Sequence, residues 1–363
     1  MKPIFTLILA MAAILAAMAA TPAPADSRPD PRAESLKRLE ARADSGSAQA
    51  QFALSMLYED GREGYPKDAA RALQLIRSAA AQAYAPACNY LGFSYLNGAL
   101  GLHQSADSAL LWIERAATAP EPDPKAFNNL GMLLLTGDGG VRQDYAKARY
   151  WLQRGADRGL PTSQASLAQM YLYGIGVEQD SARAQQLLHT AARAGMLDAA
   201  LQLRELTRAQ TDTLGPQAAL DLGLQYYRDK IYPLSAPLFR QASDGGNAYA
   251  TALLAQAYAE GLGVHYDYPM ALALYTTAAM AGDPSAMYIL AEALEQFPDL
   301  LQSPQFTNPD IVDPTINPDH LTPAINPTHT PAMLKDLTPD QLREAAAAQG
   351  IATAQAALLR LHP

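Results

Sequence analysis

The sequence has few of the residues that stabilise a fold or react through side-chain chemistry. A single cysteine, Cys88, occurs in 363 residues, so no disulfide can form within the chain. We therefore expect helix packing to hold the fold together and Cys88 to be a small buried hydrophobic residue. Aromatic residues make up only 7% of the chain, and runs of β-branched residues are lacking, which disfavours a sheet protein.

Sequence motifs of enzyme active sites are lacking as well. The chain has no His-Glu-x-x-His, Gly-x-Ser-x-Gly, Cys-x-x-Cys or Walker motif, and its six histidines are scattered. We therefore expect no enzyme activity and no cofactor. One alternative is a weak metal site in a proline-rich segment, although Asx-Pro turns explain its carboxylates more simply. The ligands of that site would be His320, His329, Asp310, Asp313 and Asp319.

The charge is acidic but spread along the chain. The net charge is −9 at pH 7, and it becomes one unit more negative if Lys2 is removed with an N-terminal signal. This balance argues against nucleic acid and anionic membranes as partners. Because charges of one sign occur only in short runs, the acidity is typical of a solvated surface.

Residues 1–25 are typical of a cleaved bacterial signal peptide. Lys2 precedes an uncharged apolar run that ends at Ala20, and small residues around Ala25 fit a cleavage site. An uncleaved anchor is the alternative, since the run approaches the shortest length that spans a bilayer. Alanine is only weakly hydrophobic, which favours cleavage. We predict export to the periplasm without membrane insertion, with residues 26–33 as a disordered linker.

Repetition is what the sequence contains in abundance. The pattern Leu-Gly-x-x-Leu-x-x-Gly-x-Gly that begins at Leu130 returns, with small changes, at Leu91, Leu167 and Leu254. From Leu54 to Leu167, the leucines follow one another after 37, 39 and 37 residues. A period in this range is typical of stacked helix pairs. Each unit is predicted to contain a helix A, a glycine-bearing loop, a helix B and a tight turn.

Helix B has an alanine, a large apolar residue three positions later, and then paired small residues. Steps of three and four residues place these positions on one helix face. We expect the large residue, such as Trp112 or Trp151, to fill the core of its unit. Tyrosines at one helix A position are also predicted to pack, with the hydroxyl reaching a loop partner. They are Tyr58, Tyr95, Tyr171, Tyr226 and Tyr258.

Paired glycines mark the loop after helix A. Gly174 and Gly261 are predicted to end this helix by adopting positive φ, and the valine that follows each pair is predicted to pack on the core. No strand precedes these glycines and no Lys-Ser/Thr follows them, so a phosphate-binding loop is not favoured.

These repeats resemble the Sel-1-like repeat, a relative of the tetratricopeptide repeat. The unit at residues 124–159 matches the family pattern nearly throughout, including Leu130, Gly131, Trp151 and Gly159. The resemblance implies an all-α fold, a right-handed α-solenoid of stacked helix-turn-helix Sel-1-like or tetratricopeptide-like repeats. It also implies that the curved surface binds other proteins.

The array is interrupted near residues 210–216. A helix of type A at residues 197–209 is not followed by a helix B, because Thr-Asp-Thr-Leu-Gly-Pro intervenes and a new helix opens. A missing helix is expected to change the path of the array. We therefore predict an N-terminal array at residues 34–209, of four full units and a half unit, and a C-terminal array at residues 210–296.

A second interruption separates helix A of the last unit from its helix B. Residues 297–337 form a proline-rich insertion with three imperfect nonamers, and this density of proline excludes a helix or a central strand. Thr338 and Pro339 then provide a good helix start. Residues 338–363 are predicted to supply the delayed helix B and a capping helix.

The family resemblance implies an exported adaptor or regulator of bacterial envelope processes that binds protein partners on its concave surface. Solvent-facing polar residues of helix A are the candidate contacts, namely Asn89, Asn128, Gln164 and Gln169. The alternative is a cell-wall glycan-acting enzyme or carbohydrate-binding accessory, which would show two facing carboxylates in an acidic cleft. A purely structural envelope component is the third hypothesis.

Overall fold

The structure is a computed structural model that describes residues 31–296 and 338–350. In these residues it contains sixteen α-helices, two short 3-10 helices and no strand. The chain divides into two compact units, Met1–Asp123 and Pro124–Pro363. Within each unit, helices that follow one another pack side by side, apart from one break in the second unit. The predicted all-α class with solenoid-type stacking is therefore confirmed.

The first unit contributes five of these helices, each packed against the next. They are α1 (Pro31–Asp44), α2 (Ala48–Asp60), α3 (Ala69–Ala81), α4 (Ala85–Asn97) and α5 (Ala106–Thr118). Here α2 and α4 are A helices and α3 and α5 are B helices. Since α1 begins at Pro31, helical structure starts three residues before the predicted array.

The second unit contributes the remaining eleven described helices. They are α6 (Pro124–Thr136), α7 (Tyr145–Asp157), α8 (Pro161–Tyr173), α9 (Ser181–Arg193), α10 (Leu197–Thr211), α11 (Pro216–Arg228), α12 (Tyr232–Asp244), α13 (Ala248–Glu260), α14 (Tyr268–Met280), α15 (Pro284–Gln296) and α16 (Pro339–Ala348). None of the helices in the described part of the chain has the length and apolar character needed to span a membrane.

The ends of the helices follow local sequence chemistry. Asp144 is the N-cap of α7, and its carboxylate accepts a hydrogen bond from the Lys147 backbone N–H at 3.0 Å. Helix α8 ends at Gly174, which adopts left-handed geometry with φ of 67°. Val177 then packs against the core as a partly buried residue. The predicted glycine stop of helix A and the predicted packing of the valine are both confirmed here.

In the first four repeat units, the most deeply buried large residue lies one position further along helix B than predicted. Fully buried side chains follow the helix B alanine by four residues, not three; they are Ile76, Ile113, Leu152 and Leu188. Trp151 is buried as expected, but Trp112 is only partly buried, so the prediction for Trp112 was wrong. The Arg115 guanidinium lies 4.7 Å from the centre of the Trp112 indole instead.

The recurrent tyrosines pack as predicted in the second unit. Tyr171, Tyr226 and Tyr258 are buried, whereas Tyr58 and Tyr95 in the first unit are partly buried. The Tyr258 hydroxyl accepts a hydrogen bond from Arg240, which lies on helix α12 and not in a loop. The predicted packing role of these tyrosines is therefore supported. At Tyr258, the partner of the hydroxyl is a helix residue and not the expected loop residue.

Cys88 is buried inside α4, as predicted. Its thiol is 1% exposed and donates to the Ala80 carbonyl at an Sγ to oxygen distance of 3.5 Å. Burial raises the pKa of the thiol, although the Arg115 charge opposes part of this rise. The residue therefore belongs to the core of its unit.

The predicted break in the repeat is present. Helix α10 is followed after a short turn by α11, and α11 pairs with α12 through a three-residue turn that lacks the glycine loop. This break falls inside the second compact unit, so the lobe boundary near residues 210–216 stays a prediction. The signal peptide, the insertion at residues 297–337, the metal-site candidates and the capping helix lie outside the described residues.

Helix α16 is the delayed helix B predicted for the last unit. Thr338 and Gln341 form a reciprocal capping box at its start, and the helix packs against α15. Its Arg343 is 2% exposed and pairs with Glu292 and Glu295 of α15. Because a buried guanidinium requires such partners, these ion pairs specify how α16 sits on α15.

Candidate partner-binding surface

Two of the four predicted contact residues are buried. Asn89 is 8% exposed, and its amide donates to the Asp123 carboxylate at 2.8 Å. Gln164 is 5% exposed, and its amide donates to the Ala156 carbonyl at 3.4 Å. Gln164 thus joins its helix A to the preceding helix B, and Asn89 joins its helix A to the turn after the next helix B. The expectation that they face solvent was wrong, and their contact with a partner stays a prediction.

The other two candidates are partly exposed. Asn128 accepts a hydrogen bond from the Ser166 hydroxyl at 3.0 Å, which links α6 to α8. Gln169 lies on α8 and is also partly exposed. The structure therefore places Asn128 and Gln169 within reach of solvent but does not gather all four candidates into one site.

The small residue that follows the repeated leucine distinguishes the regular units from the break, a difference that the sequence analysis did not identify. The eighth residue of each helix A is small and buried in every described A helix except α10. These residues are Ser55, Gly92, Gly131, Ala168, Gly223, Ala255 and Ala291. In α10 the same position is Arg204, which is exposed. Alignment of the helices by their first residues would have shown this departure.

The small residue is required because helix B approaches helix A at this point. A Cβ built on Gly131 would lie 2.5 Å from Leu152 Cγ, and one on Gly92 would lie 2.4 Å from Ile113 Cγ1. Both distances are far below ordinary carbon contact. An arginine at this position is incompatible with a closely packed helix B, which agrees with the absence of a helix B after α10.

A cavity of about 580 Å³ lies beside Arg204 in the second unit, between α10 and α12. We call it the break cavity. Its α10 wall includes Arg204, Thr207 and Thr211, which lie on one helix face at steps of three and four residues. Its apolar floor is formed by Leu234 and Leu238 of α12 together with Tyr226 of α11. The volume lies within the range of about 300–1,000 Å³ that is typical of binding pockets.

Gln241 fixes the end of α10 against α12. Its side-chain amide donates to the carbonyls of Thr211 at 3.0 Å and Leu214 at 2.9 Å. Thr211 is the last residue of α10, where helix carbonyls need partners outside the helix, and Leu214 lies in the turn that follows. The break cavity therefore has two walls joined at one end.

The charges around the break cavity are partly neutralised. Arg208 pairs with Glu205 at 3.6 Å and with Asp212 at 3.5 Å, all three side chains being well exposed. On the α12 wall, burial raises the pKa of Asp244, and Arg240 opposes part of that rise. Glu205 and Asp212 thus share one cation and do not face each other as a free carboxylate pair. A glycan-acting function stays a prediction.

Exposed tyrosines are a second feature of the second unit. Six of the eleven large apolar side chains that are exposed on the described residues are tyrosines, and all six lie in the second unit. They are Tyr145, Tyr150, Tyr173, Tyr249, Tyr266 and Tyr268. Tyr173 is 74% exposed, and Tyr150 is 52% exposed. The Tyr150 hydroxyl accepts a hydrogen bond from Arg154 at 2.8 Å, which orients its ring.

No group of three or more histidine, cysteine, aspartate or glutamate side chains within residues 31–296 and 338–350 is arranged to hold a metal ion. The metal-site candidates of the sequence fall outside these residues.

Comparison with solved structures identifies proteins of similar sequence. A protective antigen of uropathogenic Escherichia coli with an SLR fold is 26% identical over 90% of this chain and 67% of its own, with a TM-score of 0.43. A Sel1 repeat protein from Oxalobacter formigenes is 24% identical over 94% of this chain and 98% of its own, with a TM-score of 0.41. An immunity protein from Pseudomonas aeruginosa is 20% identical over 62% of this chain and 83% of its own, with a TM-score of 0.22. A search of curated proteins found no match.

The family comparison locates the repeats directly. The Sel1 repeat pattern matches five segments, which are residues 48–84, 85–120, 124–160, 161–196 and 248–283. Together they span just over half of the chain. The unmatched helices α10, α11 and α12 surround the break cavity. The chain belongs to the Sel1 repeat family.

Proposed function

We propose that this protein is an exported scaffold of the bacterial envelope that binds other proteins as an adaptor or regulator. The observation that carries the proposal is the set of six exposed tyrosines on the second unit. Tyrosine is enriched at protein interfaces because its ring buries apolar area while its hydroxyl forms hydrogen bonds. Sel1 repeats generally mediate protein–protein interaction, which supports the same assignment.

The physical mechanism is surface complementarity. Paired helices hold the tyrosine rings on a framework that is already ordered, so this chain loses little additional conformational freedom when it binds a partner. Tyr150 illustrates this, because its ring packs edge-on to Trp151 with centroids 5.0 Å apart while half of the side chain remains exposed. A partner would cover such rings with its own apolar side chains.

Affinity capture from an envelope extract tests the binding proposal. The mature chain is compared with a variant that carries Y173S and Y266S, and bound proteins are identified by mass spectrometry. Leu111→Ser is the matched control, since Leu111 is an exposed apolar residue of the other unit. We expect a protein that is retained by the wild type and the control but lost by the double variant. Capture of no specific protein, or equal capture by all three forms, would contradict the proposal.

Export is tested separately by cell fractionation. We expect the protein in the periplasmic fraction, with a mature N-terminus close to Ala25. Full-length protein in the membrane fraction would instead indicate the uncleaved anchor, and protein confined to the cytosol would reject export.

A further inference from the structure

We propose that the break cavity binds a peptide segment of a partner protein, one that carries an apolar side chain and, close to it, a carboxylate. The inference rests on the proposed scaffold function and adds to it a binding site and the chemistry of the segment bound there. Three observations support it. The cavity has an apolar floor, an arginine occupies a position that is a small residue in the other A helices, and Gln241 joins the two walls at one end.

The floor of the cavity suits an apolar side chain. Leu234, Leu238 and Tyr226 are 4%, 5% and 7% exposed, so each is packed into the core but borders the open space. Burial of an apolar side chain on such a floor is favourable by roughly 25 cal/mol per Å². An apolar anchor in a pocket, surrounded by polar groups, is also the usual arrangement of an energetic hot spot.

The wall of the cavity suits a carboxylate. The side chain of Arg204 makes no hydrogen bond or ion pair within the described residues, whereas Arg208 is already paired with two carboxylates. The Arg240 guanidinium hydrogen-bonds the Tyr258 hydroxyl and lies near Asp244. Arg204 is therefore the cation of this wall that remains for an incoming anion, and arginine pairs well with carboxylates through its planar group.

The chain itself does not fill the space. In regular units the eighth residue of helix A contacts the large residue of helix B, as Gly131 contacts Leu152. In the half unit this face of α10 carries Arg204 and borders the cavity, and α12 covers it only in part. Gln241 links α12 to the C-terminal end of α10, so the two walls are joined at that end before any ligand arrives.

The test uses terminally blocked synthetic peptides that contain one leucine and one glutamate at varied spacing on an alanine–serine background. A matched set carries glutamine in place of glutamate, and a third set carries lysine. Binding to the full mature chain is measured by fluorescence anisotropy. We expect the best glutamate peptide to bind about threefold more tightly than its glutamine counterpart, as expected for an ion pair with an exposed arginine.

Charge reversal identifies the residue responsible. R204E is expected to weaken the glutamate peptide and to favour the lysine peptide, whereas R149E, a change of another exposed arginine in the same unit, is expected to leave both affinities unchanged. Circular dichroism of R204E verifies that the helices remain intact. If no peptide binds, or if R204E leaves the order of the peptides unchanged, the inference is overturned.

The outcome separates this inference from the proposed function. If an envelope protein is captured equally by the wild type and by R204E while the peptides fail to bind, the scaffold function stands and the cavity assignment falls. If the peptides bind but no envelope protein is captured, the scaffold proposal fails instead. Sedimentation that shows dimers broken by R204E would identify a second copy of this chain as the occupant, which also overturns the assignment.

Discussion

Gly131 on α6 and Leu152 on α7 are packed so closely that a single added methyl group would bring two carbon atoms within 2.5 Å. We expect G131A to lower the free energy of unfolding by about 1–3 kcal/mol, because the helices must separate or Leu152 must leave its rotamer. Chemical denaturation measures this change.

The contact between these residues is isolated by a double-mutant cycle. In the background L152A, the added methyl group at residue 131 has space, so G131A is expected to cost much less there than in the wild type. Additive effects of the two substitutions would show that the close approach has no energetic consequence.

Arg204 and Ala168 occupy the same helix A position but opposite environments. R204A is expected to change stability by less than about 0.5 kcal/mol, because the side chain is exposed. A168R places a charge where Ala168 is fully buried and is expected to cost more than about 3 kcal/mol. Urea denaturation of both variants provides the comparison, and similar losses would show that the position has no special role in the repeat.

The N-cap residue Asp283 is predicted to make stability depend on pH. It is 5% exposed, and burial raises the pKa of its carboxyl, although hydrogen bonds from the Ala286 and Ser285 backbone oppose part of the rise. The carboxyl of Asp283 therefore has a higher pKa in the folded chain than in the unfolded chain. Its contribution to the free energy of unfolding is fully present below the unfolded-state pKa and is lost as pH rises through the folded-state pKa. At neutral pH the ionised group therefore weakens the fold.

Two substitutions separate the charge of Asp283 from its capping role. D283N keeps an acceptor for the Ala286 N–H, which lies 2.8 Å from the carboxylate, and is expected to be at least as stable as the wild type at neutral pH. D283A loses the cap and is expected to lose about 1 kcal/mol. Thermal unfolding on both sides of the carboxyl pKa checks the order, and a D283N variant less stable than the wild type at neutral pH would reject the explanation.

Cys88 is predicted to be unreactive in the folded protein. Its thiol is 1% exposed, and its pKa is raised by burial, so little thiolate forms at neutral pH and reagents cannot reach it. We expect a disulfide reagent to modify Cys88 only after denaturant is added. Rapid modification under native conditions would show that α4 opens locally, in conflict with its place in the core.

Much of the architecture follows from the sequence because its signals are local. Asp144 before a helix and Gly174 after one act through hydrogen bonds and φ values of neighbouring residues, so their roles can be predicted without the fold. The family resemblance added the pairing of helices and the expectation of a protein-binding surface. The absence of a helix B after α10 was also evident from the chain.

The tertiary structure decided the properties that depend on neighbours distant in sequence. It moved the deepest helix B residue from Trp112 to Ile113, because the position opposite Gly92 is four residues beyond the alanine. It showed that Asn89 and Gln164 are buried, and that the amide nitrogen of each donates to a partner outside its own helix. It also brought Arg204 beside the floor of α12, since only the packing of α10 and α12 joins these residues into one cavity.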